Sequence, residues 1–388
     1  MTRRPRLVVM GIAGRLPFAG VAWQTLHYLE GFRRLGCDVA YVEDTGAWPY
    51  DAERNTVTDD PSYTVAYLAR LMARRGLDAQ WAFRAASRGR RVYGMNERRL
   101  TDLFEGADAL INLSGATMLG DEHLRVPVRV YLETDPVRSQ IEVAKGDAEA
   151  IAMLETHTHH FTYGENLGAP DCGVPVERFT WSGTRPAVVL DWWNPGPPPS
   201  DDAPLTTVAN WSQSNDVEWN GETYRWSKHE EFLKFIELPR HAAVPFELTL
   251  ACGDAETVRK LAGYGWRVRD ALALSRDLDP YREYIRSSRG EFTVAKDQNI
   301  RLRSGWFSDR SACYLAAGRP VITQDTGFGN AVPTGRGLFA FRTMEDIVES
   351  VARINADYTL HARAAREIAE EYFGADRVLA DVLRRMDV

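Results

Sequence analysis

Between Asp191 and Pro204 the chain reads DWWNPGPPPSDDAP, and on both sides of that run short apolar strand patterns alternate with amphipathic helix patterns. Alternation of this kind is the sequence sign of a parallel sheet covered by helices. The proline run is a composition that neither helix nor sheet can use. The expectation is an α/β protein of two doubly wound, Rossmann-like domains facing across a cleft. Residues 1–190 form the first, 191–204 the linker and 205–365 the second, while 366–388 form C-terminal helices that pack back on the first.

In the first half, Leu7 to Met10 reads as a strand and Val21 to Leu35 as a helix stopped by Gly36. Asp38 to Glu43, Ala107 to Asn112, Pro127 to Glu133 and His159 to Gly164 read as further strands. In open α/β sheets the ligand crevice lies beyond the carboxyl ends of the strands. The glycine loop with Gly11, Gly14 and Gly20, the turn after Leu113 and the Glu133-Thr134-Asp135 end should therefore converge there. The second half restarts with strands at Leu205 to Asn210, Phe246 to Ala251 and Pro320 to Thr323.

At 388 residues and 44% apolar content the chain can bury two cores. Its longest apolar runs are far short of the ~20 residues that span a bilayer. The basic start leads into a strand and a glycine loop without an apolar helix or cleavage site, so a cytoplasmic location is expected. A net charge of −7 argues against a general nucleic-acid binder. Arginine far outnumbers lysine, as in GC-rich bacterial genomes. Cys37, Cys172, Cys252 and Cys313 lie far apart, which points to buried thiols, with neither a zinc site nor a disulfide framework.

The densest chemistry lies in RSGWFSDRSACYLAAGRPVITQDTG, Arg303 to Gly327. Ser308 or Asp309 suits the N-cap of a helix whose first amides, at Arg310 and Ser311 among others, would be free and positively polarised. Arg310 in the first turn is unfavourable unless an anion compensates it. Gly305 lets backbone approach a ligand, and Gly318 ends the helix before a buried strand. Lys296, Arg301 and Arg303 lie just upstream, and the long Trp- and Asn-rich loop from Asn210 ends at Lys228. Together these residues form a candidate diphosphate site, with Lys296 and Arg310 as the preferred pair. The bland alternative is an ordinary βαβ unit with a solvated basic surface.

The run Ala316-Ala317-Gly318-Arg319-Pro320-Val321-Ile322, followed by Thr326-Gly327, resembles the donor-binding segment of bacterial GT-B glycosyltransferases, as a divergent member near families 1 and 4. The resemblance extends more weakly over most of the chain. It implies a glycosyltransferase with an acceptor-side first lobe, a nucleotide-sugar-binding second lobe and no cofactor besides a UDP- or dTDP-sugar donor. The helix N-terminus would face the diphosphate, and the first glycine loop would face the acceptor. Many retaining members carry two glutamates here, the second of which binds ribose; this chain has Gly305 and Cys313 in their places. Stereochemistry therefore stays open.

For acid–base chemistry Asp135, with Glu133 beside it, is the expected base for an acceptor hydroxyl. The acceptor would be a small molecule or glycan, with a modified nucleobase still open. His27 reads as a packed residue, and His157, His159 and His160 lack metal-ligand spacing, so no metal is expected. A nicotinamide enzyme would need G-x-G-x-x-G after the first strand, which Gly11 to Pro17 fails, although Glu43 would suit a ribose. A sugar-nucleotide epimerase of the same fold and a silent sugar-nucleotide-binding partner protein are the alternatives.

Overall fold

The computed structural model describes residues 3–86, 89–251 and 254–388; Cys252 lies outside them. Eight strands form the first sheet: β1 (Arg6–Met10), β2 (Asp38–Glu43), β3 (Trp81–Arg84), β4 (Val92–Gly94), β5 (Ala109–Leu113), β6 (Val128–Glu133), β7 (His159–Thr162) and β8 (Trp181–Gly183). Their order across the sheet is β8-β7-β6-β5-β1-β2-β3-β4. All neighbours are parallel except the β3–β4 hairpin at the edge.

Six strands form the second sheet: β9 (Leu205–Asn210), β10 (Phe246–Ala251), β11 (Arg267–Asp270), β12 (Gly290–Thr293), β13 (Val321–Gln324) and β14 (Leu338–Phe341). They lie in the order β11-β10-β9-β12-β13-β14 and are parallel throughout. In both sheets the chain reverses direction beside the first strand, so each has its switch point there. Ligand crevices open at such points, beyond the strand ends.

The first strand shows why sequence pattern and position agree. Leu7, Val8, Val9 and Met10 are fully buried, as expected for a central parallel strand covered by helices on both faces. Helix α1 (Ala19–Arg34) follows it, burying Trp23, Leu26, Tyr28, Leu29 and Phe32, and stops before Gly36, whose φ of +91° suits only glycine. In the second lobe, α2 (Asp309–Ala316) packs between the sheet and α1, so one apolar cluster runs continuously from Leu7 to Met386 across both lobes.

The proline-rich segment is not slack along its whole length. Its first residues form a short 3-10 turn, Leu190–Trp193, in which Trp193 is fully buried. Trp192 lies against Trp23 and His27, with the Arg75 guanidinium 3.7 Å above its ring. The chain finally returns to the first lobe: α3 (Ala375–Arg385) lies along α1, close enough that Gly31 faces Leu379 with no room for a methyl group. Cys37 and Cys313 are buried and Cys172 half-buried, all three free. No helix among the described residues is long and apolar enough to cross a membrane.

Candidate active site

A cavity of about 390 Å³ lies between the lobes at the switch points. The first lobe contributes Ile12, Phe18, Gly20 and the Val21–Gln24 face of α1, with Ser114 and Thr134 from the ends of β5 and β6. The second contributes Asn210, Gln213, Lys228, Lys296, Trp306 and the first turn of α2. Six of the residues expected from sequence thus meet on one wall or rim: Gly20, Lys228, Lys296, Ser308, Asp309 and Arg310.

The second-lobe wall is built to accept an anion. Ser308 caps α2 with extended backbone but makes no side-chain cap bond. The amides of Asp309, Arg310 and Ser311 find no acceptor on another residue among the described hydrogen bonds, so the positive end of the helix is open. Lys228 and Lys296 stand nearby, two of only five lysines in the chain. Their ammonium groups lie over indole rings, Lys228 5.2 Å from the Trp306 centroid and Lys296 3.4 Å from that of Trp226. Lys296 pairs with Asp135, whereas no carboxylate among the described residues pairs with Lys228. Burial, followed by repulsion from Arg310 and Lys296, pushes the Lys228 ammonium down to about 7.

Arg310 requires a correction. It faces the cavity, but its Nε donates to Glu291 at 2.5 Å, Nη1 to the Val208 carbonyl at 2.6 Å and Nη2 to Thr293 at 2.9 Å. The buried Glu291 already compensates its charge, so it shapes the wall and is not a free phosphate ligand. Arg301 and Arg303 leave the expected cluster altogether. The first pairs with Glu222 and Asp297, and the second with Asp171 and Asp325. Ser311 is buried with its hydroxyl unpartnered, and Asp309 turns towards the first lobe, accepting from Gln24 at 2.9 Å and Tyr163 at 3.1 Å. Burial raises the Asp309 carboxyl to about 6.

Neither candidate base is among the residues that line the cavity, but they differ in exposure and partners. Glu133 is 3% exposed, and its Oε2 accepts from Gln140 at 2.8 Å and Thr162 at 2.7 Å. Burial lifts its carboxyl to about 7. It ends β6 beneath the cavity floor and braces the following turn. Asp135 points across the interlobe gap to Lys296 and is about one-third exposed.

The glycines divide by what they touch. A side chain at Gly14 would strike Thr64 and Leu68, and one at Gly11 would press on the Tyr41 ring, so both serve packing; Gly20 alone of the three lines the cavity. The loop they belong to is anchored by Glu43, a residue with no expected role beyond a ribose contact. Its carboxylate accepts from the Gly14 amide at 2.7 Å, the Tyr41 hydroxyl at 2.7 Å and the Arg15 amide. Those bonds occupy the carboxylate that a dinucleotide ribose would need, which removes the nicotinamide reading. Glu43→Ala should leave three buried donors unpaired and lower stability by about 1–3 kcal/mol. Burial raises Glu43 to about 7 from its ordinary 4.5. The folded state therefore binds the extra proton, and this group's share of stability declines as pH rises from 4.5 to 7. Urea unfolding across that range checks both; an unchanged midpoint and pH slope would remove the anchoring role.

Gly305 also answers a question left by the sequence. It has φ +81°, and a Cβ there would lie 2.4 Å from the Asn166 amide nitrogen, so no carboxylate could replace it without moving the first lobe. Cys313 lies on the cavity wall beside His27, 3.9 Å from its Nε2. Burial pushes the His27 imidazole down to about 3, leaving it neutral. Of the residues that sequence reasoning missed, Gln24 and Tyr281 carry no motif and reach the cavity only because the lobes meet, while Trp306 lies within the Arg303–Gly327 segment but was given no role.

A possible metal cluster, Asp44, Glu122 and His123, lies away from this cavity. Arg84 already bridges the two carboxylates. His123 Nδ1 accepts the Gly120 amide at 3.0 Å, so in the neutral ring Nε2 carries the proton and offers a metal no lone pair.

No protein-family profile and no curated protein sequence matches the chain. Solved structures do match over the full length. An α-glucosyltransferase in complex with UDP and a 13-mer DNA containing an HMU base shares 10% identity over 100% of both chains, with a TM-score of 0.60. A glycosyltransferase from Rickettsia africae shares 10% over 99% of this chain and 98% of its own, at 0.56. AviGT4, a glycosyltransferase involved in avilamycin A biosynthesis, shares 12% over 99% and 97%, at 0.53. The chain therefore has the two-lobed GT-B fold of these glycosyltransferases.

Proposed function

We propose that the protein transfers a glycosyl group from a nucleoside-diphosphate sugar to an acceptor hydroxyl. The single observation that carries this is Lys228: a buried ammonium with which no carboxylate among the described residues pairs, beside the open N-terminus of α2, in an interlobe cavity. Burying an uncompensated cation is costly, and a diphosphate would supply the missing charge. As the bond between the anomeric carbon and the phosphate oxygen breaks, negative charge grows on the leaving diphosphate. Lys228, Lys296 and the amides of α2 are fixed where they would stabilise it, so the reading calls for no metal. Asp135 would take the proton from the acceptor hydroxyl as its oxygen bonds to the anomeric carbon. The fold neighbours are consistent with such chemistry, and the UDP in the α-glucosyltransferase complex makes UDP the first nucleotide to try.

The acceptor is proposed to be a small molecule or glycan. The first-lobe wall presents Ile12, Phe18, Val21 and Trp23 with neutral Gln24, Ser114 and Thr134, a surface without the cations that a nucleic-acid backbone rewards. A thermal-shift series with UDP, dTDP and GDP tests the donor side. One of them at about 100 times its Kd should stabilise the fold by roughly 2.7 kcal/mol. If all three leave the melting temperature unmoved, the nucleotide-sugar reading falls.

A further inference from the structure

Lys296, on the cavity wall, pairs across the lobes with Asp135, joining two opposite charges of the proposed machinery. Lys296 belongs to the phosphate wall of the second lobe and is 6% exposed. Asp135 follows β6 in the first lobe. The contact does not stand alone. Trp306 Nε1 donates to the Thr134 carbonyl at 3.0 Å, and Gln298 Nε2 donates to the Pro136 carbonyl at 3.1 Å. Three consecutive first-lobe residues are thus clasped by three second-lobe side chains. The next residue, Val137, holds φ +97°, a left-handed conformation that a β-branched side chain rarely adopts.

Of the carboxylates near the two ammonium groups, Glu291 pairs with Arg310 and Asp309 accepts from Gln24 and Tyr163, while Asp135 has Oδ1 buried without a partner and Oδ2 on Lys296. A nucleoside diphosphate entering this wall would bring at least two negative charges to Lys228, Lys296 and the α2 amides. It would then compete with Asp135 for the Lys296 ammonium.

We infer that the Asp135–Lys296 ion pair is an exchangeable latch between the lobes. The donor's diphosphate takes the Lys296 ammonium and releases the Asp135 carboxylate to face the acceptor. This rests on the nucleotide-sugar reading above. While Oδ2 meets the Lys296 ammonium it is not free to meet an acceptor hydroxyl, so the filled donor site frees that oxygen. The backbone contacts of Trp306 and Gln298 keep the lobes registered while the ion pair exchanges.

The latch makes a prediction opposite in sign to ordinary loss of a binding-site residue. If Asp135 competes with phosphate, removing its charge tightens nucleotide binding. Isothermal titration of the full chain with UDP, dTDP and GDP, on wild type and on Asp135→Asn, Lys296→Met and the double variant, reads this directly. Asp135→Asn should bind the responding nucleotide about fivefold more tightly. Lys296→Met should bind it at least about tenfold more weakly. The double variant should match Lys296→Met alone, because the competitor matters only while the ammonium is present. Asp135→Ser serves as a second uncharged variant, and circular dichroism checks that each is folded. Equal or weaker binding by both uncharged variants overturns the latch and leaves the donor reading standing. Absence of binding by wild type to all three nucleotides removes that reading and the latch with it.

Discussion

Asp135→Asn is expected to lower glycosyl transfer by about 10³-fold, the usual contribution of a positioned general base, while the protein still binds its nucleotide. The asparagine is isosteric but cannot accept the acceptor's proton. The distinguishing mark is that turnover collapses without a rise in the donor's KM. The same experiment separates the two carboxylates. Glu133→Gln keeps an acceptor oxygen for Gln140 or Thr162, so transfer should persist if Glu133 only braces the turn below the cavity. Steady-state kinetics with any turned-over acceptor, or slow donor hydrolysis in its absence, provides the measurement. Near-normal turnover in Asp135→Asn would reassign the base.

The second large effect is expected at Lys228, where function and stability should move in opposite directions. Lys228→Met removes the one ammonium of the phosphate wall that has no carboxylate partner among the described residues. Nucleotide affinity should fall about 30-fold, equivalent to ~2 kcal/mol for a charge-assisted contact. The empty protein should become more stable, because methionine fills a similar volume without a buried charge. The sign in pH follows from the lowered folded-state value. Lys228 titrates at about 7 when folded against its ordinary 10.5, so between those values the unfolded chain binds the additional proton. Wild-type stability should therefore gain from this group as pH rises from 7 towards 10.5, and that gain should vanish in the variant. Nucleotide affinity should behave conversely, weakening in wild type as pH rises through about 7. Melting curves and titrations at several pH values report both; a variant that is less stable and binds normally would rule out the phosphate role.

Much of the architecture was legible because it depends on local periodicity. The fully apolar Leu7 to Met10 run, the Gly36 stop and the strands Leu205–Asn210 and Phe246–Ala251 follow from patterning that packing reinforces. The strands that patterning passes over, such as Trp81–Arg84, Val92–Gly94 and Arg267–Asp270, are short and lie at or near sheet edges, where few residues are needed and charged ones are tolerated. One missed signal was available. The loop from Asn210 contains a hairpin, Val217–Trp219 with Glu222–Tyr224, turned at Asn220-Gly221 with both φ positive. That is the strongest short-range hairpin dipeptide.

The candidate site was legible in a different measure. Ser308 and Asp309 at a helix start, Lys228 at the end of a tryptophan-rich loop and Lys296 after a strand are local features, and all reach the cavity. Partnership is not local. Arg310 and Lys228 look alike in sequence only as cations expected at the phosphate, one in the Arg303–Gly327 segment and one at the end of the tryptophan-rich loop. Only the packed sheet shows that Glu291, on β12, takes Arg310, whereas no carboxylate among the described residues pairs with Lys228. The same holds for Asp135 and Glu133, two residues apart on one strand end. Alternation by itself would put both on one face, but the strand ends at Glu133, which is buried against Gln140 and Thr162, while Asp135 lies in the turn beyond and meets Lys296 of the second lobe.

By itself, then, the sequence determined the two parallel α/β units, the helix end that can receive an anion and the kinds of group near it, since each is written in residue spacing and backbone preference. The tertiary structure alone decided which charges are neutralised and which remain open. Those are sums over side chains brought together from distant parts of the chain, and Lys296 meets Asp135 across 161 residues of sequence. Electrostatic energy depends on that final separation and on burial, and neither is encoded in local pattern.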